Sequence, residues 1–411
     1  VSASVIACKT TDSTISETQL AQKVQTIWND NFKNKITSAK NFSMVVEMIK
    51  EKLTNPKEKG LISLSNQDES RNRPIKNQEN QKINIKIGKR NISLDFGEVK
   101  EGKKLTKYRD PKTNEIKTTD ATDFSKIEEL KDVKEIIEIG YFEQDDSNDN
   151  NKSHIRAVRM PVTIEKVPDF LPKEITSTRA MFSDAKKFNQ DLSKWDTSNL
   201  ETLRAMFQYT EKFNQDISMW DTSNVRIMEY VFTAAKEFDQ DLSNWDVSNV
   251  TSTLNMFSRT EKFNNGGKPL LWGKKTSKLE NANEMFLLAK EFNQSVNDWD
   301  VSNVKKMRSM FRETLKFNQS LDKWKTTNVE DMGNMFMKTK EFDQNISNWD
   351  ISKLKNIEAM FLGAEKFNQN LSNWKTDNIK VYAGYHNDAK KWVEGNKLKF
   401  NNMTTESPKK K

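Results

Sequence analysis

The pair Met181-Phe182 recurs as Met206-Phe207, Val231-Phe232, Met256-Phe257, Met285-Phe286, Met310-Phe311, Met335-Phe336 and Met360-Phe361. The steps between copies are 25, 25, 25, 29, 25, 25 and 25 residues. Trp195, Trp220, Trp245, Trp272, Trp299, Trp324, Trp349 and Trp374 keep the same beat. A segment this short cannot enclose a core of its own; its apolar face is completed by the next copy. Residues 181–384 must therefore stack, and a period near 25 falls in the range of leucine-rich-repeat solenoids. Such a stack offers surface, rather than a walled pocket, as its means of function.

Each unit can be read from its letters. In the third, Val231, Ala235 and Phe238 lie at i, i+4 and i+7, the spacing of a short helical stripe. Leu242 and Trp245 supply the next buried pair, and Asp246-Val247-Ser248-Asn249 has turn chemistry. Val250 and Leu254 then flank a short extended segment, and stacked copies would set these side by side, about 4.8 Å apart. The fold class expected is α/β: a leucine-rich-repeat-like solenoid of eight units, with short parallel strands plus short helices. A helical hairpin and a small β-rich region would precede it. The regular Met, Phe and Trp positions are core, not a copper site. Asp239, Asp241 and Ser243 resemble the start of a calcium loop but lack the Gly and Glu that complete one. No metal or other cofactor is expected.

Outside the repeats the period changes. Leu20, Val24, Ile27, Trp28 and Phe32, then Phe42, Val45, Val46, Ile49 and Leu53, predict a helical hairpin over 9–54, with Ser16 and Gln19 opening the first helix. Residues 55–81 read as a linker. Ile83, Ile85 and Ile87, then Ile92, Leu94 and Phe96, alternate around Gly88-Lys89-Arg90-Asn91, a β-hairpin signal that opens a β-rich region over 82–165. The array with its N-terminal cap takes 166–384. Tyr385 to Phe400 breaks the pattern, so 385–411 reads as a C-terminal cap and a basic tail.

The formal charge of +8 is confined to the flanks, because the 28 basic and 28 acidic side chains of residues 181–384 cancel. A nucleic-acid partner is not expected. The one cysteine, Cys8, rules out an intrachain disulfide. Val5-Ile6-Ala7-Cys8 reads as a bacterial lipobox, with residues 1–8 the end of a signal peptide and Cys8 the lipidated residue. That predicts a protein anchored to a membrane by acyl chains and displayed on its extracellular face. The two histidines, His154 and His386, fall in expected loops or flanks, and no nucleophile–base pair emerges, so an enzyme is not expected.

The phrase Met-Phe-x-x-Ala-x-x-Phe-Asn-Gln-Asp-Leu-Ser-x-Trp-Asp-Thr-Ser-Asn resembles the repeat of mycoplasma surface lipoproteins grouped with BspA-like leucine-rich repeats, which carry a domain of unknown function. The resemblance covers residues 165–384. It implies a membrane-anchored surface protein that contacts a host protein or matrix component, or that varies antigenically, and it brings no catalytic residues. Comparison of the units with one another locates a candidate binding face. While core positions keep their type, Glu201-Thr202, Arg226-Ile227, Thr251-Ser252, Lys305-Lys306, Glu330-Asp331 and Lys355-Asn356 change size and sign at one place in the unit. The alternative is a structural or antigenically variable coat protein without a specific ligand.

Overall fold

The computed structural model describes residues 14–65, 74–76, 78 and 80–400. The lipobox at Cys8 and the basic end at Lys409 to Lys411 lie outside the described residues. The chain divides into two compact units, Val1–Lys103 and Lys104–Lys411. No helix among the described residues is long and apolar enough to cross a membrane.

In the first unit, α1 (Glu17–Asn31) starts where the Ser16 hydroxyl accepts the Gln19 N–H, and α2 (Phe42–Glu51) is capped by Asn41. The segment expected as a linker instead holds α3 (Pro56–Gly60) and β1 (Ile62–Leu64). Strand β1 pairs with β2 (Lys82–Ile87), and β2 pairs with β3 (Arg90–Asp95), both antiparallel. Helices and strands share one core. Trp28 is fully buried, meets Phe96 edge-on at 5.6 Å and donates its indole N–H to the Asp95 carbonyl at 2.7 Å. The helical hairpin and the β-hairpin are thus parts of one body, which polar residues 55–81 disguised as two.

The second unit opens with antiparallel strands. β4 (Thr106–Arg109) lies between β5 (Ile116–Thr119) and β6 (Ile136–Glu138), and β7 (Tyr141–Asp146) pairs with β8 (Lys152–Ala157). The expected α/β solenoid is corrected here. The repeats contain no α-helix and no strand; they are chains of turns, and every sheet among the described residues is small and antiparallel. The reason lies in the backbone. Each repeat places residues in the left-handed region at two sites four apart, such as Ala205 (φ 55°) and Tyr209 (φ 58°), or Asn255 (φ 54°) and Arg259 (φ 58°). A right-handed helix cannot pass through such residues. The i, i+4, i+7 stripe is instead carried by linked turns, as in Ala235 N–H to Phe232 O and Phe238 N–H to Ala235 O.

Successive repeats are joined through one parallel bridge each, along the file Arg156, Ser177, Thr202, Ile227, Ser252, Asn281, Lys306, Asp331, Asn356 and Val381. More hydrogen bonds cross between repeats outside the bridge. Leu203, Ala205, Phe207 and Tyr209 donate their amides to the Ile227, Glu229, Val231 and Thr233 carbonyls. The side-chain oxygens of Asn189, Asn214, Asp239, Asn264, Asn293, Asn318 and Asp343 each accept the amide of the equivalent residue one repeat on. These bonds give Asp239 a structural task.

Inside, the aromatic side chains form files. The first Phe of each repeat, from Phe182 to Phe361, stacks on the next at 5.5–5.8 Å. A second file runs from Phe188 to Phe367 at 5.8–6.1 Å. Trp392 ends both by lying edge-on, 5.0 Å from Phe361 and from Phe367.

Candidate interaction face

The variable pairs singled out in the sequence fall on the bridge file. Thr202, Ile227, Ser252, Lys306, Asp331 and Asn356 are bridge residues themselves; Glu201, Arg226, Thr251, Lys305, Glu330 and Lys355 each precede one. Their exposure is uneven. Thr202, Ile227 and Ser252 are buried, while Glu201, Arg226, Thr251, Asp331 and Asn356 are half-buried. Lys305, Lys306, Glu330 and Lys355 are exposed.

The changes of sign have a physical partner one repeat away. Arg226 Nη1 donates to Glu201 Oε1 at 3.0 Å, and Lys355 Nζ donates to Glu330 Oε1 at 3.1 Å. Two residues past the bridge, Arg204 Nε donates to Glu229 Oε1 at 3.1 Å, and the bridge residue Ser252 donates its hydroxyl to Glu229 Oε2 at 2.6 Å. Arg308 reaches Asp331 at 3.9 Å and skips a repeat to Glu358 at 3.8 Å. It can do so because Gly333 lies between; a Cβ there would stand 2.3 Å from Arg308 Nη1. Sequence reading missed Arg204, Glu229, Arg308 and Glu358. The signal was present, since their signs also oppose at 25- or 50-residue steps.

At the N-terminal end the file closes over a buried cluster that the sequence did not reveal. His154, on β8, is 2% exposed; its Nε2 lies 2.6 Å from Asp149 Oδ2 and its Nδ1 3.0 Å from Thr176 Oγ1. Arg226 Nη2 reaches the same Asp149 oxygen at 2.5 Å, and Lys152 reaches Glu201 at 2.5 Å. Burial pushes the Asp149 carboxyl up, but hydrogen bonds from His154 and Arg226 outweigh it and hold the group below its ordinary range. Glu201 is likewise raised by burial and brought lower overall by Lys152 and Arg226. Four charged groups from β8, its preceding turn and two repeats thus neutralise one another. No local sequence pattern announces them, because Asp149 and Arg226 are 77 residues apart.

Lys305 and Lys306 stand side by side as a basic pair on the bridge file. Among the described residues neither has an ion-pair partner within 4.0 Å, and both are exposed. Among the described residues, no group of three or more His, Cys, Asp and Glu side chains could hold a metal ion.

Shared residues that build the interior, with variable ones ranked along one outer file, define a stacked-repeat protein. Matches to one family model, a mycoplasma protein of unknown function named DUF285, cover residues 153–270, 271–374 and 320–407. The chain belongs to that family. No match was found among curated proteins or among solved structures.

Proposed function

We propose that this is a lipid-anchored surface protein, held at the extracellular face of the membrane through Cys8, whose repeats present a file of side chains to a host protein or matrix component. The observation that carries this reading is the file itself. One backbone position, repeated along the stack, holds Thr, Ile, Ser, Asn, Lys, Asp, Asn and Val in turn while the core beneath keeps its type; it is buried at the first three and opens to solvent from Asn281 on. Interfaces need such a surface, fixed in geometry and free in chemistry. Lys305 and Lys306 are its strongest candidates for contact, because their charge is not consumed within the stack and an acidic partner would meet it at little desolvation cost.

A second reading, a coat protein without a specific ligand, is favoured by the pairing of Glu201 with Arg226 and of Glu330 with Lys355. Those sign changes answer to the neighbouring repeat and need no outside partner. The two readings separate in a pull-down of residues 9–411 against host membranes and matrix, in parallel with Lys305→Glu/Lys306→Glu. Binding that falls at least tenfold in the variant supports an interaction face. Binding that survives the reversal moves the contact elsewhere, and no captured component at all leaves the coat reading.

A further inference from the structure

We propose that the structural unit of the array is a pair of repeats, about 50 residues, and that an alternation of charge and hydroxyl groups fixes the register by opposing a slip of one repeat. The two residues before the second Phe of each repeat carry the pattern. They read Glu211-Lys212, Lys236-Glu237, Glu261-Lys262, Lys290-Glu291, Leu315-Lys316, Lys340-Glu341 and Glu365-Lys366. The order inverts at every step, with Leu315 the one departure and Lys186-Lys187 standing outside at the first repeat. Because equivalent residues stack, inversion sets Lys over Glu. Lys262 lies 2.7 Å from Glu237, Lys316 and Lys366 lie 2.5 Å from Glu291 and Glu341, and Lys236 lies 3.8 Å from Glu211. The hydrogen bond from Lys262 holds the Glu237 carboxyl below its ordinary range, as opposite charges in contact should.

A second file, on the turn after Trp, alternates independently. From the second repeat on it reads Thr222, Val247, Thr276, Val301, Thr326, Ile351 and Thr376. Each Thr donates its hydroxyl forward to the following repeat. Thr222 bonds the Asp246 carbonyl at 2.9 Å, Thr276 bonds Asp300 at 2.9 Å and Thr326 bonds Asp350 at 2.9 Å. Val247, Val301 and Ile351 have no hydroxyl to pass on. From the second repeat on, the bond therefore exists within a pair and is missing between pairs; in the first repeat, outside the alternation, Thr197 also donates, to the Asp221 carbonyl at 3.1 Å.

The physical consequence is specific. Near-identical repeats have near-identical cores, so packing alone would not oppose a mismatch by one repeat. Removing Met310 to Asn334 joins the remaining chain without loss of core pattern, yet it sets Lys290 against Lys340 and Glu291 against Glu341. Removing Met285 to Asn334, twice as much, restores Glu261-Lys262 against Lys340-Glu341 and Thr276 before Ile351.

The test uses the full chain and tryptophan fluorescence, since nine of the ten Trp lie in the second unit. Melting is compared for the parent, the deletions 285–309 and 310–334, and the double deletion 285–334, in low and high salt. The pair unit requires the double deletion to melt above both single deletions. A double deletion that melts at or below them overturns it. A composition-neutral variant, Lys290→Glu with Glu291→Lys, guards against single deletions that do not fold. It places three lysines, at 262, 291 and 316, in one file. Its melting temperature should drop by about 2–4 °C in low salt and recover in about 1 M salt, where the screening length falls to about 3 Å. No drop in low salt, or a drop that salt leaves untouched, overturns the register device.

Discussion

The repeats store backbone strain at two residues apiece. Arg259 sits at φ 58° with an exposed side chain, and Leu288 and Lys338 occupy the same site at φ 58° and 55°. The left-handed region costs an L-residue about 1–2 kcal/mol, and glycine adopts it freely at the expense of unfolded-chain entropy. Gly363 is the one glycine the array places at this site, at φ 68°. Arg259→Gly is therefore expected to stabilise the array by about 0.5–1 kcal/mol net, read as a higher midpoint in urea with an unchanged slope. A lower midpoint would mean that the Arg259 stem packs usefully on the neighbouring repeats.

Among elements, the irregular fourth repeat is the informative one. Its extra residues form a short 3-10 turn at Asn265–Gly267, with Gly266 at φ 62°. The Trp file is interrupted there. Trp220 stacks on Trp245 at 6.3 Å and Trp272 on Trp299 at 5.0 Å, but Trp245 and Trp272 do not stack. Trp272 still donates its indole N–H to the Leu242 carbonyl at 3.0 Å, so the insertion shifts the ring without orphaning it. The loop is pinned by Asn265, fully buried, which accepts the Leu242 amide at 2.7 Å and donates to the Lys268 carbonyl at 2.9 Å. Asn265→Ala strands that buried amide and is expected to cost about 1–3 kcal/mol. Hydrogen exchange at Leu242 should accelerate in the variant; protection equal to the parent's would show that another acceptor replaces Asn265.

Across the second unit, the acid limit of stability should be set by the buried cluster. Asp149 and Glu201 are each held below the ordinary value of an aspartate or glutamate carboxyl by the basic groups that hydrogen-bond to them. A carboxyl whose folded pKa is depressed contributes stability above its unfolded pKa and loses it as pH falls through the folded value. Their contribution is thus complete at neutral pH and declines below about pH 4. Asp149→Asn leaves the Arg226 guanidinium short of a buried anion and is expected to destabilise by about 3 kcal/mol at pH 7, with a flatter acid limb in a series of thermal melts. A variant as acid-sensitive as the parent would place the limit in other carboxylates.

How much of this was legible follows from the range of each interaction. The period and the core residues are written in the chain itself, because every repeat buries the same side chains against copies of themselves. The β2–β3 hairpin and the Ser16 cap were equally readable, being settled within a few residues. The backbone of the repeat was not. An apolar stripe at i, i+4 and i+7 is shared by a helix and by linked turns, and only the left-handed residues distinguish them, which here, Gly363 and Gly384 apart, are side-chain-bearing residues such as Ala205, Tyr209, Asn255 and Arg259. The candidate face was found as a row of variable letters, but its half-burial and its pairings needed neighbouring repeats in place. The His154 cluster needed more still, joining groups up to 77 residues apart. Sequence alone determined that this protein stacks repeats and what lies inside them, since burial against an identical neighbour is a periodic property. Only the tertiary structure decided how the backbone turns and which surface charges stay free, since both depend on distances that a linear period does not contain.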